Sequence, residues 1–275
     1  MSFLEAILLG LIQGLTEFLP ISSSAHVQIA QELMGLSELS KPQLTAFIAT
    51  IQIGTELAVV SYFFKTIVSI LSSWFSSGFQ AWSKQPGEAR MGWLIIIGTL
   101  PIAVLGIAFR EQVENDVRQL WVIGVTLIVF GVLLGVADYL GRKLKPITEL
   151  GIGSGIAFGF GQALALIPGV SRSGGSITVG LLLGFTREAA ARYSFLLAIP
   201  AVLAAGGLQF ISSYGDLPQD LLTATITATI VSFVSGYAVI AWLLRYLERG
   251  SFLPFVLWRV MVGSLLLVGL ALGAI

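Results

Sequence analysis

The chain has 275 residues, 56% of them hydrophobic and only 11% charged, with a mean hydropathy of +0.91. A soluble domain carries about 25% charged residues, so the deficit excludes a water-soluble globule and points to a surface that faces lipid. Fifteen basic residues balance fifteen acidic ones, which argues against a nucleic-acid partner, and the absence of cysteine excludes a disulfide framework and a thiolate metal site.

In chain order, the opening "MSFLEAILLG" carries Glu5, lacks a basic leader, and reads as the start of the fold rather than a cleaved signal peptide. Ala6–Ile21 is apolar but short. It ends at Pro20 and a run of serines, and the semi-apolar stretch Val27–Leu36 follows. A helix needs about 20 apolar residues to cross a bilayer, so this pair reads as a re-entrant hairpin. Leu44–Phe64 is the first full span. Phe63–Arg90, with Trp74, Trp82 and Trp93 on or near it, reads as an interfacial amphipathic connection, its 65–90 stretch on the cytoplasmic side. Met91–Phe109 and Leu120–Leu140 are the next spans, with Asp138 placed at the interface. Leu150–Val170, followed by Ile177–Phe185, repeats the short, broken pattern. Tyr193–Ile211, Leu221–Leu244 and Phe252–Ile275 complete the spans. The expected fold is an all-α polytopic membrane protein, a single domain over 1–275, with about six transmembrane helices and two re-entrant helical hairpins.

Lysine and arginine bias sets the orientation. "GRKLKP", "RYLERG" and the segment holding Lys65, Lys84 and Arg90 are basic, whereas Arg110–Arg118 and Ser212–Asp220 are acidic or mixed. The basic set alternates with the other across all six spans. That places the basic set in the cytoplasm and both termini outside.

Ala6–Ala25 aligns without a gap on Gly155–Gly174. Gly10 falls on Gly159, Gln13 on Gln162, Ser22 on Ser171 and Ser24 on Ser173. Gly98–Ile107 also resembles Leu197–Gly206 at a different offset. Repeat halves of about 1–145 and 146–275 follow. With the loop assignments above, the two hairpins enter from opposite faces, an inverted-topology repeat whose site lies near the midplane. The tips Ser22–Ser24 and Ser171–Ser173 would face each other there.

The tips carry the chemistry. Gln13 and Glu17 share a helical face, and a carboxylate at membrane depth costs roughly 2.5–3.5 kcal/mol unless it is paired, ligating or reacting. Pro20 stops the helix. Ser22, Ser23 and Ser24 then precede His26, the only histidine, in the minimum arrangement for an activated nucleophile. In "PGVSRSGGS" the guanidinium of Arg172 sits among Ser171, Ser173, Gly174 and Ser176 just before a helix, a setting that suits an oxyanion. Arg259 interrupts the last span and is expected to reach the phosphate or pair with an acid. Glu56 lies mid-span and is read as its partner or as part of the site. This inventory suits phosphoryl transfer assisted by a divalent cation.

"QGLTEFLPISSSAH" and "PGVSRSGGS" resemble the two signature motifs of the undecaprenyl-diphosphatase family, the bacitracin-resistance membrane phosphatases, and the likeness extends over the whole chain. The resemblance implies removal of the terminal phosphate of undecaprenyl diphosphate, which recycles the lipid carrier for cell-wall synthesis. It places the protein in the bacterial plasma membrane with an outward-opening site. By the same resemblance Ser23 matches the nucleophile, and His26 matches the base or, in another account, the nucleophile. Arg172 matches the phosphate-binding arginine, helped by Ser171, Ser173 and Ser176, with Ser22, Gly174 and Arg259 assigned to the same phosphates. Glu17 and Gln13 would hold the cation, Mg²⁺ or Ca²⁺, although Gln13 departs from members with Glu there. Bacitracin would compete by sequestering the substrate, and a homodimer is left open. A polyprenyl-phosphate flippase is the alternative of another class. An intramembrane serine protease is disfavoured because Arg172 has no task in peptide cleavage.

Overall fold

A computed structural model describes residues 1–36, 40–78, 80–109, 119–216 and 219–274. The acidic loop assigned to Arg110–Arg118 lies outside the described residues. The described residues form eleven α-helices: α1 (Phe3–Glu17), α2 (Ser23–Met34), α3 (Lys41–Tyr62), α4 (Phe64–Ser77), α5 (Gly87–Ala108), α6 (Leu120–Leu140), α7 (Ile152–Ala163), α8 (Arg172–Leu182), α9 (Arg187–Ser213), α10 (Leu222–Leu247) and α11 (Leu253–Ala271). Six of them, α3, α5, α6, α9, α10 and α11, are long and apolar enough to cross a membrane. They coincide with the six expected spans. Their starts lie outside the apolar runs where caps allow it. α3 begins at Lys41 because Ser40 and Gln43 cap each other's backbone. α9 begins at Arg187, where the Thr186 hydroxyl accepts from the Ala189 N–H (3.1 Å).

The other four core helices are short. α1 and α2 have 15 and 12 residues, α7 and α8 have 12 and 11. At about 1.5 Å per residue they are roughly 16–23 Å long, less than the ~30 Å hydrocarbon core. Three long helices, α3, α5 and α6, separate the two short pairs. An odd number of crossings puts the hairpins on opposite sides of a membrane.

The short pairs are packed alike. On α1, a Cβ at Gly10 would run into the Ala228 carbonyl of α10; on α7, a Cβ at the matching Gly159 would run into the Gly98 carbonyl of α5. Glycine is required at both because backbone meets backbone. Since α1 rests on α10 and α7 rests on α5, the repeat relates α5 to α10. The resemblance of Gly98–Ile107 to Leu197–Gly206 pairs α5 with α9 instead and is not a repeat equivalence. Both stretches are apolar helices interrupted by a proline, Pro101 and Pro200.

The amphipathic connection is α4. Phe64, Val68, Leu71 and Phe75 form an exposed apolar stripe, while Ile70 is buried and Trp74 meets the Trp93 ring of α5 at 5.2 Å. Asp138 is not a free interfacial acid. It is buried and accepts from Arg187 Nε (2.6 Å), Arg187 Nη2 (3.1 Å) and the Phe252 N–H (3.0 Å), which ties the end of α6 to the starts of α9 and α11.

Gly159→Ala is therefore expected to cost about 1–3 kcal/mol through overpacking and to lower the thermal midpoint in detergent. Gly153→Ala, six residues earlier on the same helix with open space around it, should leave the midpoint at or above the parent's. Equal midpoints for the two variants would contradict the tight α5–α7 approach.

Candidate active site

Each hairpin breaks at a proline. Pro20 and Pro168 cannot donate to a helical carbonyl, and the chain then turns through a serine with positive φ: Ser22 (φ 75°) and Ser171 (φ 74°). Such a conformation costs a non-glycine residue of order 1–3 kcal/mol. These are the two serines that the ungapped repeat superimposes. Both then cap the following helix, Ser22 Oγ accepting from the Ala25 N–H (3.4 Å) and Ser171 Oγ from the Gly174 N–H (3.1 Å). Each hydroxyl also meets that of the serine two residues on, at 3.2 Å and 3.0 Å. The two tips are one local structure built twice.

Arg259 holds the tips together. It is fully buried, and its five N–H groups are directed at five backbone carbonyls. Nη1 donates to Pro20 of the first tip (3.0 Å) and to Val170 of the second (3.0 Å). Nη2 donates to Gly169 (2.8 Å) and Thr126 (3.3 Å), and Nε to Leu127 (3.2 Å). No N–H is left for a phosphate or an acid. The expectation that Arg259 binds phosphate, or pairs with Glu56, is corrected accordingly: broken helix ends leave carbonyls that lipid cannot satisfy, and this guanidinium satisfies them. Ser173 adds a direct tie between the tips, donating to the Leu19 carbonyl (3.2 Å).

The clamp brings the first residue of α8 against the last residue of α1. Arg172 Nη2 forms an ion pair with Glu17 Oε1. The other oxygen, Glu17 Oε2, accepts from Ser23 Oγ (2.6 Å) and Gln13 Nε2 (2.9 Å). The Glu17 carboxylate thus joins an arginine, a serine and an amide. Ser23 and Arg172 are repeat-equivalent, each the first helical residue after its strained serine. Equivalent backbone positions present complementary side chains to one carboxylate. Beside it a pocket is lined by Glu17, Glu56, Arg172, Ser173 and Ser194, with an apolar wall of Val59, Phe195, Ala198 and Val202.

The family model for Bacitracin resistance protein BacA matches residues 6–265. The chain belongs to this family. It is 54% identical over 277 residues to an undecaprenyl-diphosphatase of Nocardioides sp., covering 99% of this chain and 98% of the relative. Proteins of the same name from Paenarthrobacter aurescens and Thermobifida fusca are each 49% identical, covering all of this chain and 99% and 92% of theirs.

Not every residue singled out in the family motifs faces the pocket. Among the described residues the His26 ring makes no hydrogen bond to Ser23, whose hydroxyl is held by Glu17. Trp258 Nε1–H can only donate, so His26 Nε2 is the accepting nitrogen (2.7 Å), and Nδ1 carries the proton that it donates to the Ser22 carbonyl (2.8 Å). Packing of α11 on the first tip turns the imidazole toward Trp258. Ser22 and Ser171 spend their hydroxyls on capping. Ser176 Oγ is buried against Ser194 Oγ (2.6 Å) and the Arg172 carbonyl (2.7 Å). Gly174 gives its N–H to Ser171 and makes room for Arg259, whose Nη1 a Cβ there would meet at 3.0 Å. Of the six residues assigned to phosphate, Ser173 alone lines the pocket with Arg172.

Among the described residues no three His, Cys, Asp or Glu side chains gather as a metal cluster. The oxygen donors near Glu17 are nevertheless hard: the Ser23 and Thr55 hydroxyls and a second carboxylate, Glu56, whose Oε1 is buried without a hydrogen-bond partner among those residues. An orphaned carboxylate oxygen in an oxygen-rich pocket fits Mg²⁺ or Ca²⁺.

Arg259→Lys keeps the charge but cannot reach five carbonyls. It is expected to cost at least about 3 kcal/mol, two charge-assisted hydrogen bonds, and to lower the thermal midpoint. Arg172→Lys, half-buried at a single ion pair, should shift it far less. A midpoint for Arg259→Lys equal to the parent's would remove the clamp from this account.

Proposed function

We propose that this chain hydrolyses undecaprenyl diphosphate to undecaprenyl phosphate and inorganic phosphate, and that Glu17, Ser23 and Arg172 carry the reaction. The observation that carries this reading is the Glu17 carboxylate bridging Ser23 and Arg172 at the mouths of two helices. The first-turn N–H groups and the N-terminal dipole of α8 favour an anion there. A diphosphate carries more negative charge than Glu17 and draws the guanidinium of Arg172 to its terminal phosphate. Glu17 then accepts the Ser23 proton, and Ser23 Oγ attacks the terminal phosphorus. The bond to the bridging oxygen breaks, the lipid monophosphate leaves with the proton that Glu17 passes back to it, and a phosphoserine remains. Water, deprotonated by Glu17, cleaves the phosphoserine and releases phosphate. Glu17 takes the role of base given above to His26, because its oxygen rather than an imidazole nitrogen holds the Ser23 hydroxyl. His26 acts by positioning: its bond to the Ser22 carbonyl steadies the turn that aims Ser23.

A divalent cation held by Glu17 and Gln13 would offset phosphate charge. The apolar wall of Val59, Phe195, Ala198 and Val202 suits the start of a polyprenyl chain. The basic loops support a cytoplasmic placement for Arg142–Lys145 and Arg245–Arg249, which leaves the first hairpin and both termini on the outer side of the plasma membrane.

Two measurements test the reading. Purified protein in detergent should release phosphate from a C55 diphosphate, with Glu17→Gln and Ser23→Ala slower by about 10²–10⁴ and rapid quenching trapping a phosphoenzyme that maps to Ser23. Label on another residue, or none with full turnover in Ser23→Ala, overturns the Ser23 step; a transporter would show no release in micelles. Orientation is read from single cysteines, since the chain has none of its own. Ser212→Cys should react with an impermeant maleimide in intact cells and Lys143→Cys only after permeabilisation. The reverse pattern inverts the topology.

A further inference from the structure

We propose that Glu56 is the second carboxylate of a divalent-cation site shared with Glu17. The site deepens the phosphatase reading by using the same pocket. Glu56 comes from the middle of α3 and is 5% exposed. Its Oε1 is buried and has no hydrogen-bond partner among the described residues. The neighbouring Thr55 Oγ1 accepts from Gln13 Nε2 (3.4 Å), the same nitrogen that donates to Glu17 (2.9 Å), so α3 and α1 are tied at this level.

The carboxylate has a space made for it. A Cβ at Gly206 of α9 would run into Glu56 Oε1 and Oε2, so a side chain there would displace the carboxylate. Charge points the same way. The pocket lining holds two carboxylates, Glu17 and Glu56, and one cationic side chain, Arg172. Arg172 is already paired with Glu17. That leaves Glu56 with no ion pair of its own among the described residues, and a lone carboxylate there is expensive. Gln13 carries no charge, so α1 by itself presents one negative ligand. A hard cation gains a second from α3, with the Thr55 and Ser23 hydroxyls and water completing an oxygen shell.

The test uses purified full-length protein in detergent and Mn²⁺ alone, with free Mn²⁺ followed by electron paramagnetic resonance and no lipid present. Glu56→Gln is expected to raise the Mn²⁺ Kd about tenfold or more, because affinity of such sites follows ligand charge. Adding Gln13→Glu to that variant should recover most of the affinity by returning a second carboxylate beside Glu17. Gly206→Ala, which keeps every charge but displaces the Glu56 side chain, should weaken binding as well, and thermal midpoints identify any variant that fails to fold. Mn²⁺ bound by Glu56→Gln and Gly206→Ala with the parent's Kd overturns the proposal, as does a parent that binds no Mn²⁺. Phosphate release is measured separately. A parent that binds Mn²⁺ through Glu56 and releases no phosphate would keep this site and sink the phosphatase reading.

Discussion

Everything at the centre of this molecule depends on one buried guanidinium. Two helices that stop halfway leave carbonyl groups with no water to solvate them. A guanidinium at the same depth is itself costly unless every N–H is satisfied. In Arg259 the two costs offset each other: its five donors meet carbonyls from both tips and from α6. The clamp explains why an arginine interrupts an otherwise apolar last helix. It also explains why Glu17 and Arg172, 155 positions apart in the chain, can share one ion pair.

The duplicated tips show how a repeat becomes a site. Ser22 and Ser171 hold the same strained backbone and make the same cap, so the chain positions the next residue alike in both halves. What differs is the side chain placed there, a hydroxyl in one and a guanidinium in the other. Glu17 has its counterpart in Leu166, and His26 in Gly175. Gln162, the counterpart of Gln13, lies buried with its Nε2 unpartnered. The second half keeps the scaffold and supplies the cation that pairs with Glu17; the first keeps the acid and the hydroxyl.

The environment of Glu17 also separates chemistry from support. A carboxylate at the C-terminal end of α1 faces the negative end of that helix, and Arg172 answers it. The same carboxylate takes the Ser23 hydroxyl, while His26 is occupied by Trp258 and the Ser22 carbonyl. Beside this centre the pocket joins the charged side chains of Glu17, Glu56 and Arg172 to the apolar Val59, Phe195, Ala198 and Val202.

How much of this was legible in the residues varies with the range of the interaction. Apolar run length identified the six spans, because crossing a bilayer sets a minimum length that composition cannot disguise. Prolines and serines marked the two broken hairpins, because those residues act on their own backbone. Glu17, Ser23 and Arg172 stood out as polar groups where lipid should be. The roles of Arg259, Glu56 and His26 could not be read the same way. Each is decided by which helix lies against it: α6 and both tips for Arg259, the glycine face of α9 for Glu56, Trp258 of α11 for His26. Periodicity reports which face of a helix is apolar and carries no record of its partner, so the partners that give these three side chains their work are a property of tertiary packing alone.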